Sequence, residues 1–197
     1  MPMRIANTAN IGPTICYLMG RMPKFLRLHI QLRHTEVWRR IAIPAAGSFA
    51  GLHDAIQEAF GWENSHLYEF RQDGERVAAS PYHESFDGER MPEAESVKLS
   101  RNLKKLEDRC EYEYDFGDAW VHDIEVEEIS ALPMDNPRLL DGEGAAPPED
   151  CGGIPGYERI LEVLRTGKDP WGEDPEELIT WVGDWRPDSF DQGKLPR

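Results

Sequence analysis

His66, Tyr68, Asp115, Asp118, Trp120, His122, Glu149, Asp150 and Cys151 are the side chains of this sequence whose types could do chemistry together. Imidazoles among carboxylates make a ligand set for zinc, iron or manganese, and a metal-bound water would be the nucleophile of a hydrolase. Asp115, Asp118, Trp120 and His122 fall within EYEYDFGDAWVHDIEVEEI, and Glu149, Asp150 and Cys151 within PPEDCGG. A plainer reading carries more weight. In it His122 pairs with Tyr114 in a satisfied core, Asp115 and Asp118 stabilise a turn, and PPEDCGG is a rigid crossing loop. Trp38, Trp62 and Trp120 are then core anchors, and His53 is a packing or surface residue. The patterns H-E-x-x-H, G-x-S-x-G, the P-loop and G-x-G-x-x-G are all absent, so no catalytic residue and no cofactor is assigned.

The parity of the first segment says how these residues would be presented. Side chains alternate across a strand, and Tyr112, Tyr114, Phe116, Trp120, His122, Ile124 and Val126 are all even-numbered. Two strands turning this set toward one core need an odd loop, such as Gly117-Asp118-Ala119, with Phe116 facing Trp120 and Tyr114 facing His122. A two-residue turn would send one apolar set outward. The odd-numbered face would then oppose Glu113 to Asp123 and Glu111 to Glu125, so it wants water, arginines or a cation. Arg39 and Arg40 straddle the two faces of their own strand. One of them at most can meet these acids, which leaves the other for solvent or a partner.

The chain of 197 residues suits one domain with a core that needs no disulfides. Its net charge is -15, from 37 acidic and 22 basic residues, which repels a phosphate backbone and argues against a nucleic-acid partner. Cys16, Cys110 and Cys151 are far apart with no C-x-x-C pair, as expected of a reducing cytoplasm. No apolar run is long enough for a membrane span. Residues 1–23 are expected to be a disordered leader, or an extension upstream of a start at Met19 or Met22. Gly12 and Pro13 interrupt what could otherwise pass for a signal peptide.

Periodicity supplies the positioning elements. FLRLHIQL and VWRRIAIP are strands, Ser48 caps a helix over FAGLHDAIQEAF that Gly61 closes, and HLYEFR is a third strand. A polar loop runs from about Gln72 to Val97, and Ser100 caps a short helix through Glu107. PMDNPRLLDGEGAAPPEDCGGIPGY has the composition of a long ordered loop. ERILEVLRTG is a helix ending at Gly167, and DPEELITWV is another, with Asp174 as cap and a stripe of Leu178, Trp181 and Val182. The order of elements predicts an α+β fold with a mainly antiparallel sheet packed by helices.

With these segments in place, VWRRIAIP, LHDAIQEAFGWENSHLYEF, VKLS, YEYDFGDAWVHDIEVE, PPEDCGGIPGY and WVGDWRPDSFD together resemble the plasmid pRiA4b Orf-3-like family. The likeness runs from about Phe25 to Asp191, in order, and implies a compact α+β domain over 24–192, associated with plasmids and insertion elements. It fixes no activity. Tyr68 stands where many relatives have the second histidine of an H-L-H pattern, and Ala146 where a cysteine often precedes the two prolines. Both departures weaken a metal reading. Some relatives carry a resolvase label, but a serine recombinase needs arginines around a nucleophilic serine and a basic DNA-binding end, and the C-terminal third here is acidic. The missing second histidine and the absent catalytic patterns favour a binding module of mobile elements that takes a protein or peptide in an aromatic-lined groove between hairpin and PPEDCGG loop; the alternative is a metal-dependent hydrolase using the same carboxylates and His122. The oligomeric state is open on sequence grounds.

Overall fold

Alternating apolar residues build a seven-stranded sheet in the computed structural model, which describes residues 25–81, 92–190 and 195. The strands are β1 (Phe25–Leu32), β2 (Trp38–Pro44), β3 (Tyr68–Gln72), β4 (Glu75–Ala79), β5 (Arg109–Tyr114), β6 (Trp120–Ser130) and β7 (Arg138–Glu143). Their order is β4-β3-β5-β6-β1-β2-β7, with every neighbouring pair antiparallel. Four helices join them: α1 (Phe49–Phe60), α2 (Leu99–Asn102), α3 (Gly153–Thr166) and α4 (Pro175–Val182). The fold is α+β and forms a single domain, as the pattern of elements predicts. The expected leader, 1–23, lies outside the described residues.

Leu26, Leu28, Ile30 and Leu32 of β1 are all buried, as are Tyr112 and Tyr114 of β5 and Trp120, His122, Ile124 and Val126 of β6. Against this face packs α1. Ser48 Oγ accepts from the Gly51 N–H, Gly61 ends the helix in the left-handed conformation, and Phe49, Leu52, Ile56, Ala59 and Phe60 are buried. The Phe49 and Phe70 rings lie 4.9 Å apart, joining helix to sheet.

The hairpin keeps the expected parity but not the expected register. Tyr114 pairs with Trp120 and Tyr112 with His122, so the turn is five residues, Asp115 to Ala119, rather than three. The longer turn removes Phe116 from the core and leaves it 38 % exposed. On the other face Glu111 opposes Asp123 and Arg109 opposes Glu125. Arg33 bonds both acids of the first pair, and Arg109 is ion-paired to Glu125 across the second. Arg40 meets this open face through Glu127 and Asp141. Arg39, expected to be left for solvent or a partner, is instead fully buried: its Nε donates to the Ala59 carbonyl and its Nη1 to the carbonyls of Trp38 and Glu143.

Elsewhere the boundaries shift for local reasons. The expected loop over 72–97 contains β4, which adds an edge strand to β3 through a tight turn at Asp73-Gly74. Within the proline- and glycine-rich stretch, β7 pairs with β2. The third strand begins at Tyr68, not His66. Ser100 lies inside α2, whose cap position is Lys98, and the helix ends at Asn102. Starting at Gly153, α3 extends ahead of the ERILEVLRTG pattern, and Gly167 ends it. Asp174 caps α4 as expected, but of its apolar stripe only Val182 is buried, and Trp181 is 52 % exposed.

Candidate functional site

Three segments meet at one corner of the sheet, and each is fixed by its own backbone bonds. The first leads from α1 into β3. Asn64 adopts a positive φ of 57°, its N–H donates to Gln57 Oε1, and the Ser65 N–H donates to the Tyr114 hydroxyl. These bonds deliver His66 against Tyr114, ring edge to ring face, at 5.7 Å.

The second segment is the five-residue hairpin turn. Asp115 takes a positive φ of 55°, its N–H donates to the Leu67 carbonyl, and its Oδ1 accepts from the Gly117 N–H. This is the local bonding that makes aspartate a good turn residue. It also leaves the other carboxylate oxygen, Oδ2, directed at His66, 3.6 Å from Nε2.

PPEDCGG provides the third. Glu149 accepts from the Tyr114 hydroxyl at 2.6 Å through one oxygen and from the Glu63 N–H at 2.9 Å through the other. Asp118 accepts from the Gly152 N–H, and a Cβ on Gly153 would lie 2.4 Å from the Asp118 carbonyl oxygen, so only glycine lets the loop seat on the turn. Trp62 and Trp185 donate their indole N–H groups to the carbonyls of Pro147 and Ala146. Held this way, Asp150 places Oδ1 3.2 Å from His66 Nε2.

One ligand atom each from His66, Asp115 and Asp150 therefore lies within 4.8 Å of the others. Asp115 is buried, His66 is half-buried and Asp150 is exposed, so the group opens to solvent on one side. His66 Nε2 is shielded from solvent and out of hydrogen-bond alignment with either carboxylate. An imidazole nitrogen so placed, between two carboxylates, is disposed to bind a cation. The same three residues form the only group of this kind among the described residues.

Of the residues singled out from sequence, Asp118 and Glu149 act here as fasteners rather than ligands. Burial pushes the Cys151 thiol up to about 12, with the Asp118 charge adding to it, so no thiolate is offered at neutral pH. Tyr68 stacks on His53 at 3.6 Å. Trp120 and His122 belong to the core. The His122 ring contacts Phe60, Trp62 and Tyr112, and burial lowers its pKa to about 4. Sequence reasoning missed Tyr114 as the post that ties all three segments. Its parity marked it as core, and the reach of its hydroxyl had no signal. Burial and the Glu149 bond both raise its pKa. The groove expected between hairpin and PPEDCGG loop is filled by their direct contact. An open cleft of about 710 Å³ is walled by Phe60, Trp62 and Trp185, with Asp150 also in its lining.

A family model described as plasmid pRiA4b ORF-3-like protein matches residues 24–194. The chain belongs to the plasmid pRiA4b ORF-3-like family. The chain is 38 % identical over 162 residues to the uncharacterized protein y4hQ of Sinorhizobium fredii, covering 80 % of each. Its fold is similar to the crystal structure of MM3350, a protein of unknown function from Methanosarcina mazei Go1, with a TM-score of 0.72 and 32 % identity. That match covers 87 % of this chain and 97 % of the other. The His66, Asp115 and Asp150 corner thus sits inside the family domain. Among the described residues no helix is long and apolar enough to cross a membrane.

Proposed function

We propose that this family member is a metal-dependent hydrolase in which His66, Asp115 and Asp150 hold one divalent transition-metal ion. The observation that carries this reading is the meeting of three ligand atoms, from three separate segments, within 4.8 Å. One imidazole and two carboxylates suit zinc, manganese or iron, and three protein ligands leave positions open for water and substrate. The bound ion would supply an activated water. The protein's own part is positional: Tyr114 and Glu149 fix the loop, Asp118 anchors it to the turn, and the cleft beside Asp150 gives a substrate room. Free Cys110 and Cys151 support a reducing compartment such as the cytoplasm, and the family description supports a link to plasmid-borne genes.

The test is calorimetric titration of chelator-treated protein with zinc and manganese, alongside the His66→Ala and Asp115→Asn variants. One ion per chain in the wild type, lost in both variants, is the expected result. Absence of stoichiometric binding by either metal, or equal binding by His66→Ala, overturns the reading.

A second reading rests on the aromatic cleft itself. Phe60, Trp62 and Trp185 would take apolar side chains of a peptide, and the acidic edge of Glu63, Glu149 and Asp150 would favour a basic one. Peptide binding that survives metal removal and is lost in Trp185→Ala would favour this class.

A further inference from the structure

Asn64 has a second tie besides the one its N–H makes to Gln57. Its Oδ1 lies 2.7 Å from His53 Nε2, and His53 Nδ1 lies 2.8 Å from the Tyr112 hydroxyl, to which Gln57 Nε2 donates at 3.0 Å. The amide oxygen can only accept, so Nε2 carries the hydrogen. Burial lowers the His53 pKa to about 4 and keeps the ring neutral at pH 7, which leaves Nδ1 as an acceptor. The four bonds therefore run in one direction around a closed ring. Gln57 donates to Tyr112, Tyr112 to His53, His53 to Asn64, and the Asn64 N–H back to Gln57 Oε1 at 3.0 Å.

His53 and Gln57 lie four residues apart on one face of α1, Tyr112 is on β5, and all three are buried. Tyr68 stacks on His53 at 3.6 Å with 11° between the planes, which fixes the plane of the imidazole. Apolar side chains of similar size would fill the space between α1 and β5 with no polar groups to satisfy. What the polar set adds is a hold on Asn64, the one exposed member of the ring. Buried donors and acceptors that are all paired to one another admit a single arrangement.

That hold acts two residues further on. Asn64 turns the chain through its positive φ, and His66 Nε2 then lies 3.2 Å from Asp150 Oδ1 and 3.6 Å from Asp115 Oδ2. A zinc ion bonds nitrogen and oxygen ligands at about 2.0–2.2 Å, so the three atoms must stay in step for one ion to reach them all. Rotation at Asn64 would carry the imidazole away from two carboxylates that other segments hold in place.

We propose that His53, acting through this ring of bonds, is the positioning residue for His66. Its effect on where His66 sits stands on the geometry alone, while its effect on metal affinity rests on the metal-dependent hydrolase reading.

Imidazole spectra of the nitrogen-15-labelled, chelator-treated full-length protein at pH 7, followed by titration with zinc and manganese, test it. Asn64→Gly removes the bond to His53, while glycine keeps a positive φ without strain and retains the N–H that meets Gln57. Asn64→Asp keeps an acceptor for His53 and is the conservative control. In the wild type His53 is expected as the Nε2–H tautomer. Asn64→Gly should move the His66 ring resonances, leave the amide resonances of β1 and β6 in place, and weaken metal binding about tenfold or more, the loss seen when a ligand's supporting hydrogen bonds are removed. Asn64→Asp should behave as the wild type does. A role confined to stability would lower the urea midpoint of Asn64→Gly and leave the His66 resonances of the folded protein unmoved. That result overturns the proposal, as does an Nδ1–H tautomer at His53 or an Asn64→Asp variant that matches Asn64→Gly. If the wild type takes up neither metal while the His66 resonances respond as expected, the hydrolase reading fails and the positioning role stands.

Discussion

The Tyr114 hydroxyl donates to Glu149 at 2.6 Å and accepts from the Ser65 N–H at 2.9 Å, so one phenol joins strand β5 to both loops that carry His66 and Asp150. Replacing it with phenylalanine leaves ring packing intact and removes only these bonds. We expect Tyr114→Phe to lose about 1.5–3 kcal/mol in urea unfolding, the range for a hydrogen bond to a charged group. Metal affinity should fall as well, because two of the three ligand-bearing segments lose their common post.

Trp120 and Asp118 lie two residues apart yet should respond very differently. Trp120 is 1 % exposed, and Trp120→Ala should cost about 3–5 kcal/mol. Asp118→Ala removes one exposed bond to the Gly152 N–H, about 1 kcal/mol. Parallel urea melts at pH 7 check the pair, and equal losses would refute the core assignment of Trp120.

Acid should weaken the fold through two histidines. Burial lowers both His53 and His122 to about 4, against about 6.5 in the unfolded chain. Between these values the unfolded state binds more protons, so stability falls as pH drops from about 6.5 to 4 and is level above that window. The loss is of order 3 kcal/mol per histidine. Urea midpoints at pH 7.5, 6, 5 and 4 should show it, with a visibly shallower fall in His122→Phe.

Gly153 is the tightest point of the loop contact. With φ at 65° and a Cβ position 2.4 Å from the Asp118 carbonyl oxygen, Gly153→Ala must push the loop off the turn. We expect metal binding to be lost while the far sheet edge, β2 and β7, keeps its amide protection in hydrogen exchange.

How much of this was legible in the sequence depends on whether the signal was local. The strand β1, the capped helix α1 and the parity of the hairpin all follow from period and caps, and all appear in the structure. The register missed by two because Asp115 and Ala119 both adopt positive φ, and alanine announces no such turn. Edge strands β4 and β7 escaped because ERVAA and RLLDGE are short and charged, as edges often are. Among site residues, types were readable and company was not. His66, Asp115 and Asp150 come from segments that only the tertiary fold brings together, whereas His122, the histidine inside the most conspicuous motif, packs among aromatic rings.

The position of β1 near the middle of the sheet also sets a schedule for synthesis. This strand, the first described element of the chain, pairs on one side with β2, close in sequence, and on the other with β6, where Phe25 meets Ser130. At roughly 5–20 residues per second, a ribosome needs on the order of 5–20 s to make the intervening chain. Throughout that interval an apolar strand shows an unpaired edge, which is a template for pairing with a neighbouring nascent chain. Crowded polysomes should therefore be where this protein is most prone to aggregate, and early chaperone capture of the β1–β2 hairpin the step that most raises its soluble yield.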